Sequence, residues 1–495
     1  MRYLTAYNVQ RTVFFTAEDT PGLPGVFEAV PARPKGLKVP CGFRPRAGGW
    51  PKAGPLTRRS MQSALLLECA FMKDDTKKTE QFYDAWNGST LLYGKRPLEV
   101  YHEPYLIKNE DALFFKQALE PLQALVDKIT LLFLRGKFRE IFQFEPRLLD
   151  LILADPGYPI LIPFSRWDTF YDGKNLKCLE LNTDGTSGMV YVEELDRLHL
   201  ETFQSSGEPC RLKTYLLETL LDCYQGFKNK KVQKPQIAIV DWNDVPTRPE
   251  QSVLCDFFNL KGYKTVLADP RALTYDGSVL WKDDFRIDLI YRRVVTGEYL
   301  NAWDQVKDMT QAYLDQNVCI AGSFRSQIGF DKRTFAILSS EEYEGLFSSQ
   351  ENELRRLYIP WTRILKVGHQ NFNGMRVQFP DYLEDHPELF ILKPAASNRG
   401  EGILFGNQVT RSDWVSQIRK RLSKGHIVQE RLEVPKCTIT SPLGMEKPNS
   451  TQAWGFHLGH FLIGGKVRGW MCRVGEDELL NDRSDDRLIP CLRVK

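Results

Sequence analysis

The 495-residue chain predicts a mixed fold, part α+β and part α/β, assembled from several units. Three observations predict it. Apolar residues recur at three-and-four spacing over residues 80–155, then at alternate positions over residues 157–182. Strand-like and helix-like runs alternate over residues 235–294. Two glycine turn signals, Asp172-Gly173 and Gly464-Gly465, each separate a pair of alternating apolar runs, as hairpins do.

The elements follow in order. Residues 1–60 are rich in Pro and Gly and carry a basic excess, with no period after Val13-Phe14-Phe15. They are expected to form a disordered tail, and globular patterning begins near Met61. Residues 61–155 read as helical, with Phe114, Leu122, Val126, Ile129 and Phe133 on the apolar stripe. Residues 156–230 hold the first hairpin and then a helix over 213–227. Residues 231–325 form a βαβ rhythm, with strands over 237–240, 263–267 and 287–291, a helix over 253–260 and a second over 303–313. That rhythm predicts a small parallel sheet. Residues 326–495 contain helices over 332–346 and 412–424, a buried strand over 389–392, a strand around Ile427-Val428 and a late hairpin over 454–474.

Composition excludes several classes. A formal net charge of +3 is too small to argue for nucleic acid. No apolar run reaches the ~20 residues that span a bilayer, and the N-terminus lacks a basic-then-apolar leader pattern. The ten cysteines form no C-x-x-C pair, which argues against a zinc site or a disulfide framework. Thiols in a reducing, cytoplasmic compartment are expected. The sequence leaves the oligomeric state open.

The first hairpin carries the first candidate site. Side chains two apart on a strand share a face, so Arg166 points with Asp168, and Glu180 with Asn182. A turn centred on Lys174 sets Asp168 opposite Glu180 and Arg166 opposite Asn182. Two carboxylates and an amide oxygen suit Mg²⁺, and an adjacent arginine suits phosphate oxygens. An ordinary salt-bridged hairpin is the alternative.

A second candidate follows the buried strand. Lys393 ends it, and a loop with Ser397, Asn398, Gly400 and Gly402 comes next. The glycines let backbone N–H groups approach a polyphosphate. The loop is neither a P-loop nor a dinucleotide fingerprint, since no Gly-Lys-Ser/Thr and no G-x-G-x-x-G is present. Further on, Gln429 and Glu430 could offer acceptors to an adenine amino group, with Leu432 covering the ring; a charged edge-strand end is the plain alternative.

Together these segments resemble the circularly permuted ATP-grasp ligases, the group that includes glutathionylspermidine synthetase. The resemblance covers about residue 61 to the C-terminus. It rests on R-x-D (Arg166, Asp168), E-x-N (Glu180, Asn182), the D-K-R-T helix start (Asp331, Lys332), K-P with its glycine loop, V-Q-E-R-L (Val428 to Leu432) and G-G-x-x-x-G-x-x-x-R (Gly464 to Arg473). The metal residues precede the phosphate-binding lysines, which is the order the permutation implies. The resemblance implies a pre-ATP-grasp-like domain at 231–325 and a nucleotide-binding region at 326–495. It further implies Mg²⁺ on Asp168, Glu180 and Asn182, and ATP phosphates on Lys332 and Lys393. Arg166, with Arg473 as a second cation, is implied for the transferred phosphoryl group and the developing oxyanion. Arg399 stands where the family has the first of two adjacent glycines, and no counterpart is expected here of the amidase domain that some members carry.

The implied activity joins a small-molecule or peptide carboxylate to an amine through an acyl phosphate, releasing ADP and phosphate. Two alternatives use the same site: a non-catalytic nucleotide-binding scaffold, and a phosphotransferase with a phosphorylated product. Neither acid nor amine is marked by a motif. His457 and His460 are three apart and face opposite sides of a strand, which speaks against a shared metal. Tyr291-Arg292-Arg293 at a strand end reads equally as an anion site or an ion pair. No G-x-S-x-G element supports serine catalysis.

Overall fold

The computed structural model describes residues 76–397, 400–440, 451–476 and 486–494. The expected tail, the start near Met61, Asn398 and Arg399 lie outside these residues.

The first described element is a helix, Thr76–Asn87. The longest helix, α1 (Asn109–Leu134), buries Ala112, Phe115, Leu119, Leu122, Val126, Ile129 and Phe133. Their spacing alternates between three and four, so they form one stripe. Phe114 falls one position off that stripe and is only half-buried. The region is not wholly helical. Tyr105–Lys108 is a strand, paired in parallel with Cys491–Val494 near the C-terminus. Four residues are too short to show a period, and their partner lies almost 400 residues away, so local sequence carries no signal for this pairing.

Strands β1 (Phe164–Tyr171) and β2 (Leu176–Asn182) form the expected hairpin, followed by helix α2 (Met189–Phe203). The α/β unit then contributes β3 (Ile237–Val240), helix α3 (Arg248–Leu260), β4 (Thr265–Ala268), β5 (Leu289–Arg292) and β6 (Cys319–Ala321). They make an all-parallel sheet in the order β6-β5-β3-β4. Every residue of β3 is fully buried, as a strand covered on both faces requires. A three-stranded antiparallel meander, Thr274–Tyr275, Leu280–Lys282 and Phe285–Ile287, lies between β4 and β5. Ile287 therefore ends the meander, and the parallel strand starts at Leu289.

Strands β7 (Thr362–Ile364), β8 (Phe390–Pro394), β9 (Leu404–Phe405) and β10 (His426–Glu430) form an antiparallel sheet in the order β7-β10-β8-β9. Its Phe390, Leu392 and Val428 pack with Trp414 and Ile418 of the helix Arg411–Arg421 in a small core of their own. The late hairpin is β11 (Thr451–Ile463) and β12 (Lys466–Gly475), turning at Gly464-Gly465. It extends the first hairpin into one sheet in the order β2-β1-β11-β12, with Arg487–Ile489 beyond β12 and Lys436–Thr440 on β11. Two expected helices are broken. Residues 303–313 divide into a 3-10 turn (Trp303–Gln305) and a helix (Lys307–Leu314). Residues 332–346 divide at Ser340, whose side chain accepts from Glu342 N and starts a 3-10 turn. Among the described residues no helix is long and apolar enough to cross a membrane.

Candidate active site

Alternation on β1 decides which side chains meet which layer. Ser165, Trp167 and Thr169 face back. Gln123 of α1 accepts from Ser165 Oγ at 2.9 Å and Trp167 Nε1 at 3.2 Å, and His460 bonds Thr169 Oγ1 at 2.9 Å. Arg166, Asp168 and Phe170 face forward and line a cavity of about 620 Å³. The neighbouring register places Gly459 opposite Asp168 and His457 opposite Arg473 on the same forward face. A Cβ at Gly459 would lie 2.9 Å from Arg166 Cδ and 3.0 Å from Asp168 Oδ1, so this strand can pass the site only with glycine there.

The hairpin pairs Asp168 with Glu180 and Arg166 with Asn182, as the sequence implies. The route differs. The turn is centred one half-step earlier, with Tyr171 opposite Leu176, and Asp172 Oδ1 accepts from Lys174 N and Asn175 N. Unbroken pairing from that turn would set Asp168 opposite Leu179 and send Glu180 to the back. A bulge at Leu179 restores Glu180 to the forward face.

These four side chains form one network. Arg166 grips Asp168 with two bonds, Nε to Oδ1 at 2.7 Å and Nη2 to Oδ2 at 2.8 Å. Asn182 Nδ2 donates to Asp168 Oδ2 at 2.9 Å and to Glu180 Oε1 at 3.2 Å. The second sheet supplies Lys393, and the start of the helix Arg333–Ser339 supplies Lys332. Lys393 Nζ donates to Gln429 Oε1 at 2.7 Å and to the Leu179 carbonyl at 3.3 Å. Lys332 Nζ donates to the Ser397 carbonyl at 3.0 Å and lies 3.4 Å from Glu180 Oε2. Lys332 N also donates to the Ala395 carbonyl at 2.8 Å, so Lys332 braces both the glycine loop and Glu180.

Protonation follows from these neighbours. Burial alone raises the Glu180 carboxyl, but Lys332 and Lys393 outweigh it and hold the group down at about 2. Burial pushes Lys393 down to about 8, with Glu180 opposing. Burial takes His457 to about 4 and His460 to about 3, so both rings are neutral near pH 7. The two histidines do face opposite sides. His457 lines the cavity, while His460 sits edge-on against Phe115 at 4.6 Å.

Of the other expected residues, Ser397, Gly400, Gly402, Gln429, Glu430, Leu432 and Arg473 all line the same cavity. Gly400 and Gly402 have φ of +69° and +75°, the left-handed conformation that favours glycine. The side chains expected to meet adenine are engaged within the protein. Gln429 accepts from Lys393 and donates to Thr362 Oγ1 at 3.1 Å, and Glu430 Oε1 accepts from Trp361 N at 2.8 Å. Glu430 and Gln429 thereby fix the β7-β10-β8 sheet that carries Lys393.

The cavity extends to residues no motif marked. In the parallel sheet, β4 lies on one side of β3 and β5 on the other. Asp241 and Arg293 follow β3 and β5, and both line the cavity at this crevice, the usual ligand position in such sheets. The Arg292-Arg293 pair splits its roles. Arg292 is structural: it pairs with Asp184 at 2.8 Å, both side chains 1% exposed, and bonds the Gly322 and Val294 carbonyls. Arg293 lines the cavity, bonds the Thr186 carbonyl and lies 3.5 Å from Glu250 Oε2. Glu250 Oε1 accepts from Gly188 N and Val190 N at the start of α2. Arg166 Nη1 donates to the Ser187 carbonyl at 3.3 Å, so the loop 184–188 ties Arg166 to the α/β unit. Long-range contacts of this kind leave no sequence spacing to read. For His457 and Gly459 a signal exists, since strand alternation places both beside Arg473.

The donor chemistry permits a hard cation. Among the described residues no group of three or more His, Cys, Asp or Glu is placed to hold a metal. The set reaches three oxygen donors only with the Asn182 amide. Two carboxylates and few other protein ligands match Mg²⁺ that takes its remaining ligands from phosphate and water.

No protein-family model and no curated protein sequence matches the chain. Solved structures do. A glutathione synthetase-like effector from Globodera pallida, in its apo form, aligns with a TM-score of 0.53 at 16% identity, covering 86% of this chain and 98% of that one. A protein assigned as a gamma-glutamylcysteine synthetase from Methylobacillus flagellatus aligns with a TM-score of 0.36 at 12% identity, covering 74% and 85%. The first alignment spans nearly all of its partner. The chain therefore has a mixed α/β fold resembling that of a glutathione synthetase-like protein.

Proposed function

We propose that the chain is an ATP- and Mg²⁺-dependent carboxylate–amine ligase on a circularly permuted ATP-grasp fold, acting through an acyl phosphate. One observation carries this reading. Arg166, Asp168, Glu180 and Asn182 on one sheet meet Lys393 and the glycine loop from another across a single cavity. The order of segments, carboxylate hairpin before phosphate lysines, supports the permutation. The fold resemblance is consistent with a ligase, and fold alone assigns no activity. We further propose the unit boundaries expected from the sequence, with 231–325 as the substrate-facing α/β domain. Eight described cysteines are all thiols, which supports a reducing cytoplasmic setting.

In this reading Asp168, Glu180 and Asn182 would hold Mg²⁺, which when bound screens the β- and γ-phosphate oxygens. Lys393 meets the ground-state triphosphate as a point charge. Lys332 holds the glycine loop against the phosphates through the Ala395 and Ser397 carbonyls. Arg166, fixed by its two hydrogen bonds to Asp168, faces charge that develops on the transferred phosphoryl group and the acyl oxygen. Arg473 faces the same region from β12. The loop after Lys393 excludes water, since hydrolysis of the acyl phosphate competes with ligation. Asp241 and Arg293 line the same cavity and are assigned to select the organic substrates.

The test is an ADP-release screen of amino acids, short peptides and polyamines with ATP and Mg²⁺, read by mass spectrometry. The ligase reading expects a product of mass acid plus amine minus water, with one ADP each. A phosphorylated product would make the protein a phosphotransferase. No turnover with any pair would favour a nucleotide-binding scaffold.

A further inference from the structure

Amide formation makes a demand that the residues so far assigned do not meet. The attacking nitrogen must arrive neutral, with its lone pair on the acyl carbon and an N–H held by an acceptor. The forward face is rich in donors: Arg166, Arg473 and Lys393. The acceptors nearest them are engaged. Both Asp168 oxygens accept from Arg166, and Oδ2 also from Asn182. Glu180 is shared between Asn182 and Lys332, and Gln429 Oε1 accepts from Lys393.

His457 differs from these. It stands opposite Arg473 in register and two residues from Gly459, which adjoins Arg166 and Asp168. Its ring lines the cavity, is 4% exposed, and has no hydrogen-bond partner at Nε2. A buried polar nitrogen left unpaired costs stability, and one on a cavity wall is placed to take its partner from what the cavity holds. Burial keeps the ring uncharged near pH 7, among Asp168, Arg473, Arg166 and Glu180, so it offers a lone pair there.

Resting on the ligase reading above, we propose that His457 is a further catalytic residue, accepting an N–H of the amine substrate at the reacting centre. In the step it serves, the nitrogen–carbon bond forms and the carbon–oxygen bond to phosphate breaks. The electron pair of that bond leaves with the phosphate. The proton shed by nitrogen leaves on it as hydrogen phosphate, and His457 ends as it began.

The experiment uses the full chain with hydroxylamine as the amine probe, a panel of free amino acids and short peptides as acids, and ATP with Mg²⁺. Hydroxamate formation and ADP release are measured for wild type, His457→Phe and His457→Gln. Phenylalanine keeps the ring volume and removes the acceptor. Glutamine keeps an acceptor near the same place. His457→Phe is expected to slow hydroxamate formation about 10²-fold, the scale of one positioned group at reacting atoms. Its affinity for a non-hydrolysable ATP analogue should stay near wild type. His457→Gln should recover much of the lost rate. Hydroxamate formation by His457→Phe at the wild-type rate would overturn the proposal and leave the ligase reading standing. So would equal loss in both variants alongside lost ATP affinity, which marks a packing role. No hydroxamate from wild type with any acid would overturn the ligase reading itself, and this proposal with it.

Discussion

Lys393 Nζ donates to the carbonyl of Leu179, the residue left over by the bulge in the carboxylate hairpin, at 3.3 Å. The bulge thus does two things at once. It returns Glu180 to the face of Asp168, and it presents a backbone acceptor to the lysine of the opposing sheet.

Lys393→Met keeps most of the side-chain volume and removes the charge. A charge-assisted contact contributes about 1.5–3 kcal/mol, so affinity for an ATP analogue should fall about 10- to 100-fold by calorimetry. Affinity in the unaltered protein should also fall as pH rises from 7 to 9. Lys393 loses its proton through about pH 8, because burial outweighs the support of Glu180. An unchanged affinity for Lys393→Met would remove this lysine from the phosphate site.

Arg166 calls for a conservative variant. Removing it outright strands Asp168, 5% exposed, without its double partner, and breaking a buried pair costs about 3–5 kcal/mol. Arg166→Lys keeps a cation and loses the fork. Turnover should drop about 10²-fold while ATP affinity stays near normal, since the fork aims charge at the transition state. Steady-state rates beside calorimetry separate the two. Equal losses in both would make Arg166 a ground-state ligand.

Gly459→Ala tests the packing behind the site. The added Cβ meets Arg166 Cδ at 2.9 Å and Asp168 Oδ1 at 3.0 Å. Displacing that pair should cost turnover at least about tenfold, because misplacement of about 1 Å near the chemistry is worth up to 10². Gly469→Ala meets Cys210 Sγ at 2.8 Å and Leu212, away from the cavity, and is the matched control. If Gly469→Ala lowered turnover as much at equal melting temperature, Gly459 would have no special place.

These residues show what the sequence could and could not carry. Alternation along β1 and β11 was legible, because side chains on each strand divide between two faces. It located Arg166 and Asp168 without tertiary information, whereas Lys393 was read at the end of a buried apolar run and Arg473 came only with the family resemblance. The α1 stripe was legible for the same reason at helical period, apart from Phe114. The Leu179 bulge was not, since an extra residue in a strand leaves no compositional mark. The pairing of Tyr105–Lys108 with the C-terminal strand was hidden by distance along the chain. The split between Arg292 and Arg293 needed the Asp184 loop, more than a hundred residues earlier, to decide which guanidinium is enclosed.

His199 gives a prediction independent of function. It is buried among Phe82, His102 and Phe203, and burial drives its pKa from 6.5 to about 4. Between pH 6.5 and 4 the unfolded chain binds a proton that the folded chain does not, so stability is lost as pH falls through that window. The full shift corresponds to about 3 kcal/mol. His199→Phe should flatten this part of the stability-versus-pH curve in urea melts. An identical curve for the variant would show that His199 does not set the acid limit.

The acyl phosphate is the centre of the account, and oxygen labelling reads it directly. The acid substrate found by the screen is prepared with ¹⁸O in its carboxylate, and the phosphate released with ATP, Mg²⁺ and amine is weighed by mass spectrometry. Attack of the carboxylate on the γ-phosphorus, followed by loss of phosphate to the amine, predicts one ¹⁸O in each phosphate released. Phosphate without ¹⁸O, with the label retained in the product or carried into AMP, would contradict it.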